Sequence, residues 1–322
     1  MATNPVTYLE NSFLKPILEK EGLTDVSYNG SKLYFVTNSK GREERDISLT
    51  NEEVGYLLRK IANVTERQFS YLNPILDVSF GTYRLNAVNN SLARVANEKA
   101  YTFSLRIERK GCQIDENSPF LDEKSRALIQ DLLDREESII IGGVTSSGKT
   151  EFEKYCLYHM KKGTRVIVID NIEELDMLEI PELDLTTWLV NDQSPKIASF
   201  SSLIRNALRN NPDYIVVSEA RGEEMLDALT SAMSGHPILT TIHAKDVEGM
   251  PDRLARLAMM GNPNLRKDEL MDDIAHHLHY YVYLVKETSK EGNIHRYLKS
   301  ISYLDEKEKK LVSLYERRTY EE

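Results

Sequence analysis

At 322 residues, with 41% hydrophobic and 29% charged side chains, the chain is long enough for two domains, each with its own core. No stretch reaches the roughly 18–20 apolar residues that a membrane span needs, and a formal net charge of −10 argues against a basic surface that coats nucleic acid. The two cysteines, Cys112 and Cys156, stand in no metal-ligand spacing, and the first residues lack the basic region and apolar core of a signal peptide, so a reducing cytosol is expected.

Residues 7–20 carry Leu9, Phe13, Leu14, Ile17 and Leu18 at helical spacing, with Pro16 placed to kink or break the helix. Val26–Gly30 and Lys32–Thr37 read as two strands around an Asn-Gly turn. A helix opens near Ser48 and runs to about Val64, with Thr50 and Glu53 at the spacing of a capping box. Ile75–Phe80 and Thr82–Val88 read as a hairpin, and Ala100–Glu108 as another strand. The pattern predicts a small α+β domain over residues 1–110. Arg84 and Arg106 interrupt strands that otherwise alternate or run apolar. Each is either an arginine on a solvated strand face or a planar cation suited to phosphate.

Residues 111–122, polar and holding Gly111 and Pro119, read as a linker to a second domain over 123–322. A helix at Glu123–Arg135 leads into the apolar run Ile139-Ile140-Ile141. Then comes Gly143-x-x-x-x-Gly148-Lys149-Thr150, followed by the helix-permissive stretch from Glu151. A buried strand before and a helix after are the context that a P-loop requires. Glycines let backbone N–H groups turn inward to phosphate oxygens, and the helix presents its positive end to the same anion. Lys149 can then reach the β and γ phosphates, and the Thr150 hydroxyl can ligate Mg²⁺. The residues expected to hold a nucleoside triphosphate are Gly143, Val144, Thr145, Ser146, Ser147, Gly148, Lys149, Thr150 and Glu151.

Beyond the loop, strands and helices alternate. Arg165–Asp170, Tyr214–Val217 and Ile238–Ile242 read as buried strands, and Phe200–Asn210, Glu223–Met233 and Val247–Met260 as helices. Continuous apolar strands between helices predict an α/β domain whose mostly parallel sheet is covered on both faces. Ligands bind such sheets at the carboxyl ends of the strands. The polar residues just after each strand, Asp170 to Glu174, Ser218 to Arg221 and His243, are therefore candidates for chemistry beside the P-loop. His276-His277-Leu278-His279 reads better as a helix end feeding a strand than as a metal site. Tyr281–Lys286, Ile294–Leu304 and Lys310–Leu314 read as a terminal β meander.

The ordered series resembles the hexameric traffic ATPases of type II and type IV secretion, pilus and conjugation machines. Gly-Gly-Val-Thr-Ser-Ser-Gly-Lys-Thr matches that family's P-loop, and Val168-Ile-Asp-Asn-Ile-Glu-Glu-Leu175 its acidic box. Ala207 to Glu223 is similar to its Walker-B segment, and Ser234 to Ala244 to its histidine box. The resemblance implies a RecA-like ATPase domain behind a smaller N-terminal domain, with ATP and Mg²⁺ as cofactors. On the same match Asp170 and Glu174 would help hold the Mg²⁺, Glu219 would orient or deprotonate the attacking water, and His236 and His243 would form the histidine box. Arg84 and Arg106 match arginines that approach the nucleotide from the N-terminal domain. Arg209 and Arg221 match arginines around the active site, Arg205 less closely. A homohexamer is implied, docked on a membrane-embedded platform at the cytoplasmic face of the membrane, with no direct contact to nucleic acid.

The chain departs from the pattern in places. Asn171 and Asp170 stand where the acidic box often has Asp and Glu, and Ser218 where the Walker-B strand usually ends in Gly. A zinc-binding tetracysteine insertion and the arginine-glycine motif of pilus-retraction ATPases are both missing. The chain looks most like the type IV secretion and conjugation branch or the tight-adherence pilus branch. The rival readings are an ATP-gated scaffold with little turnover and a DNA translocase, the latter disfavoured by the acidic balance.

Overall fold

The computed structural model describes residues 4–108, 111–171, 175, 178–190 and 198–320, and the chain divides into two compact units. The first comprises residues 1–110 and 288–294, the second 111–287 and 295–322.

In the first unit, residues 7–20 are not one helix. α1 (Pro5–Glu10) ends at Asn11, and α2 (Lys15–Leu18) starts with Pro16 in its first turn, where a missing N–H costs nothing. β1 (Leu23–Tyr28), β2 (Leu33–Thr37) and β3 (Glu43–Arg45) follow. α3 (Asn51–Val64) carries the expected capping box: Thr50 Oγ1 accepts from the Glu53 N–H at 3.2 Å, and Glu53 Oε2 accepts from the Thr50 N–H at 2.8 Å. β4 (Ile75–Phe80), β5 (Tyr83–Val88), the short hairpin β6 (Arg94–Val95) and β7 (Glu98–Lys99), and β8 (Thr102–Ile107) complete it. The strands form an antiparallel sheet in the order β3-β2-β1-β8-β5-β4. Alternation puts Val26, Leu85 and Leu105 on the face that packs with Leu9, Ile17, Leu58 and Ile61 of the helices.

In the second unit α4 (Glu123–Asp134) precedes β9 (Ile139–Gly143) and α5 (Lys149–Tyr158). β10 (Arg165–Asp170) and β11 (Asp184–Leu189) come next, then α6 (Phe200–Ala207), β12 (Tyr214–Val217), α7 (Glu224–Met233) and β13 (Ile238–His243). α8 (Met250–Gly261) and α9 (Lys267–His277) lead to the meander β14 (Tyr280–Thr288), β15 (Ile294–Leu304) and β16 (Leu311–Glu316). The His276–His279 segment is thus a helix end feeding a strand. The sheet order is β11-β10-β12-β13-β9-β14-β15-β16, parallel from β11 through β14, with β15 and β16 antiparallel. β11 escaped the sequence reading because it is a short, half-exposed edge strand with no buried run.

The apolar strands are buried on both faces, as their sequence demanded. Ile139, Ile141, Val168 and Val216 pack with Phe152, Tyr155 and Cys156 of α5. Ile140, Ile169, Ile215 and Val217 pack with Ile204, Ala228, Leu254 and Ile274 from α6 to α9. Each such side chain contributes about 1.5–3 kcal/mol of burial free energy. Ile114, Phe120 and Leu121, from the stretch read as a linker, pack into the first of these two cores and belong to the second unit.

Candidate functional site

β9, β10, β12 and β13 end at one rim of the parallel sheet, the edge where such sheets bind ligands. From β9 the chain turns over residues 144–148 into α5. Two glycines are required there. Gly148 has φ +96°, and a Cβ on it would lie 2.9 Å from the Phe120 ring; one on Gly143 would lie 2.7 Å from the Leu284 carbonyl oxygen. Ser146 also takes a left-handed φ, +61°, which is unfavourable for a residue with a Cβ. Arg296 of β15 holds that turn, its Nε donating to the Ser146 carbonyl at 2.8 Å. Lys149 opens α5 and is buried; its ammonium donates to the carbonyls of Gly143 and Val144, both at 3.2 Å. The loop thus wraps its own lysine.

A polar chain leads away from that ammonium. Lys149 Nζ lies 3.4 Å from His243 Nδ1, His243 Nε2 lies 3.0 Å from Glu219 Oε1, and Arg221 Nη2 donates to Glu219 Oε2 at 2.7 Å. An ammonium has only donors, so Nδ1 accepts and the neutral ring carries its proton on Nε2; Glu219 Oε1 is near that nitrogen but outside hydrogen-bond geometry. Burial, reinforced by Lys149, lowers the His243 pKa against the opposing pull of Glu219, which favours this neutral tautomer. Glu224 shapes the same turn, its carboxylate accepting from the N–H groups of Arg221 and Gly222 at 2.5 and 2.8 Å.

Asp170 ends β10 almost fully buried, accepting from the Asn171 and Leu175 N–H groups at 2.8 and 3.0 Å. Thr150 lies in the first turn of α5. Asn171 Oδ1 and Ser218 Oγ are buried on this rim without a hydrogen-bond partner. These are hard oxygen donors. Among the described residues no group of three His, Cys, Asp or Glu side chains could cage a metal by itself. The set fits Mg²⁺ held by one or two protein oxygens and the phosphates of a ligand. Glu174 lies outside the described residues.

Residues 98–294, more than half of the chain, match the Type II/IV secretion system protein family. The chain belongs to that family. It is 28% identical over 299 residues to an uncharacterised protein of Bacillus anthracis, covering 88% of this chain and 66% of that one's length. It is 27% identical over 260 residues to a putative conjugal transfer protein of Mycobacterium tuberculosis, covering 77% and 73%. Among solved structures the Legionella pneumophila ATPase DotB shares the fold at a TM-score of 0.66 and 20% identity, covering 94% of this chain and 82% of that one.

The remaining residues singled out by the family resemblance fall into separate places. Arg84 and Arg106 lie in the first unit, directly opposite each other on β5 and β8, with Asp77 and Glu108 as 3.8 Å neighbours. Two like charges in register are unfavourable. Arg209 is exposed in the turn after α6. Arg205 is engaged elsewhere, its Nε bound to Asp227 of α7 at 2.7 Å. His236 does not join His243. It precedes β13, whose six residues place it roughly 20 Å from the rim. The Glu151 carboxylate turns to the Gln113 N–H at 2.8 Å and to Lys154 at 3.1 Å. Arg296 and Glu224 were not anticipated. A Glu three residues after Arg221 is a local capping signal, whereas Arg296 meets its partner across 150 residues and left no trace in the spacing. A groove of about 880 Å³ lined by Lys245, Tyr283, Lys299, Ser302 and Leu311 shares no residue with the loop; a phosphate cradle is a surface of amides, so the chemistry lies at the rim.

Proposed function

We propose that this chain is a Mg²⁺-dependent ATPase that powers a secretion, conjugation or pilus-assembly machine. The observation that carries this reading is the polar chain from the P-loop lysine through His243 to the Glu219 carboxylate. The loop amides and Lys149 bind the β and γ phosphates, and α5 presents its positive end to them. Mg²⁺, when bound, would neutralise phosphate charge, held by Thr150 and Asp170, with Glu174 the further candidate. Glu219 takes a proton from water as the water oxygen bonds to the γ phosphorus and the bond to the β–γ bridging oxygen breaks, releasing ADP and phosphate. His243 and Arg221 hold that carboxylate in place. Arg209 and Arg221, with Arg84 and Arg106 of the first unit, supply cations to the developing charge.

The family supports a homohexameric ring, peripheral at the cytoplasmic membrane face, working on a membrane-embedded platform. The name of the mycobacterial relative favours conjugation or type IV secretion within that range. No described helix is long and apolar enough to cross a membrane. The test is phosphate release by purified variants. Lys149→Ala should lose nucleotide binding, while Glu219→Gln should bind ATP and lose roughly 10²-fold or more in turnover. Undiminished release by either variant overturns the assignment.

A further inference from the structure

Ser218 presents a buried hydroxyl that nothing in the fold explains. Its backbone is fully used: the N–H donates to the Ile169 carbonyl at 3.1 Å, and its carbonyl accepts from Thr241 Oγ1 at 2.8 Å. The residue is 9% exposed, and Oγ has no partner. A buried, unbonded hydroxyl is unfavourable for folding, and such groups recur where a ligand or water is meant to fill the vacancy in their bonding.

Register says what stands beside it. β10 and β12 pair in parallel with Ile169 opposite Val217, so the next residues, Asp170 and Ser218, are lateral neighbours on adjacent strands, about 4.8 Å apart. Side-chain parity puts both on one face. Val166 and Val168 of β10, and Tyr214 and Val216 of β12, all pack into the core that α5 covers. Asp170 and Ser218 continue those rows. Thr150 lies in the first turn of that same helix. The unpartnered hydroxyl therefore sits beside an acid, on the sheet face covered by the helix that the threonine begins.

We infer that Ser218 is a positioning residue for the divalent cation of the nucleotide, its hydroxyl bonding a water ligand of the metal beside Asp170. This rests on the nucleotide reading above. Outer-shell partners of this kind tune metal affinity with little effect on the fold.

The full-length protein, titrated with Mg²⁺ in the presence of a fluorescent N-methylanthraniloyl ADP, tests it. Ser218→Ala should raise the half-saturating Mg²⁺ concentration roughly tenfold, the lower end of the usual effect of losing an outer-shell partner. Binding of the probe in EDTA should stay unchanged, the thermal midpoint of the nucleotide-free variant should be equal or higher, and Ser218→Thr should restore the Mg²⁺ dependence. An unaltered Mg²⁺ dependence in Ser218→Ala overturns the inference. So does a lowered midpoint or a failure to fold, because the hydroxyl would then be structural. A wild-type protein that binds no probe at all overturns the nucleotide reading itself, and this inference with it.

Discussion

At the scale of single residues the site is a polar series: Lys149 beside His243, His243 Nε2 3.0 Å from Glu219 Oε1, and Arg221 donating to the other oxygen of the same carboxylate. It works only while His243 is neutral, since a protonated imidazole has no acceptor for the ammonium. Burial first, then Lys149, lower the pKa of His243 below its ordinary value. Below about pH 6.5 the unfolded chain therefore takes up this proton more readily than the folded one. Stability is undiminished above that value and is lost as pH falls through the lowered folded value. Turnover should decline on the same acid limb. His243→Gln, whose amide can accept from Lys149 and donate to Glu219 without titrating, should flatten the limb while retaining part of the activity. A kcat–pH profile identical in the two proteins contradicts the arrangement.

At the scale of elements the loop between β9 and α5 is held from three sides. Lys149 gathers the carbonyls of Gly143 and Val144, Phe120 packs where a Gly148 Cβ would be, and Arg296 fixes the left-handed Ser146 peptide. Arg296→Ala removes the hydrogen bond to the Ser146 carbonyl, a type of bond worth about 0.5–1.5 kcal/mol. Nucleotide affinity should weaken by up to roughly tenfold with a nearly unchanged thermal midpoint, as read by fluorescent-nucleotide titration. Equal affinity would mean that β15 does not shape the loop. In the first unit, Thr50→Ala removes the cap of α3 and should lower stability by about 1 kcal/mol without touching turnover, which denaturant unfolding and phosphate release measure side by side.

At the scale of the molecule the chain leaves its second unit and comes back. Residues 288–294 return to the first unit, where Ile294 N–H donates to the Ser39 carbonyl at 3.0 Å and Gly41 N–H to the Gly292 carbonyl at 3.3 Å. That unit also sets Arg84 against Arg106 across two strands. Like charges in register oppose folding by a few tenths of a kcal/mol, and each arginine has a carboxylate 3.8 Å away, Asp77 for Arg84 and Glu108 for Arg106. Arg84→Ala or Arg106→Ala should leave stability equal or slightly higher and reduce ATP turnover. Full turnover in both variants removes the first unit from the reaction.

Much of this was legible in local spacing, because the forces concerned act between near neighbours in the chain. The glycines and lysine of residues 143–149, the capping pair Thr50 and Glu53, and the unbroken apolar strands each declare themselves within a few residues. The acids and His243 at the strand ends were legible for the same reason: a parallel sheet collects its strand termini at one edge. Packing across long separations was not. Trp188 and its neighbours in β11 form an edge strand that no buried run announces, and Ile114, Phe120 and Leu121 belong to a core rather than a linker. His243 ends β13 whereas His236 lies before its start, so two histidines close in sequence are far apart in space. That Ser218 would be left beside Asp170 with an unbonded hydroxyl, and which arginine would reach the loop from 150 residues away, was decided by the order of strands in the sheet. Periodicity and turn chemistry are properties of a short segment; strand order and partner choice depend on the whole chain collapsing around one core.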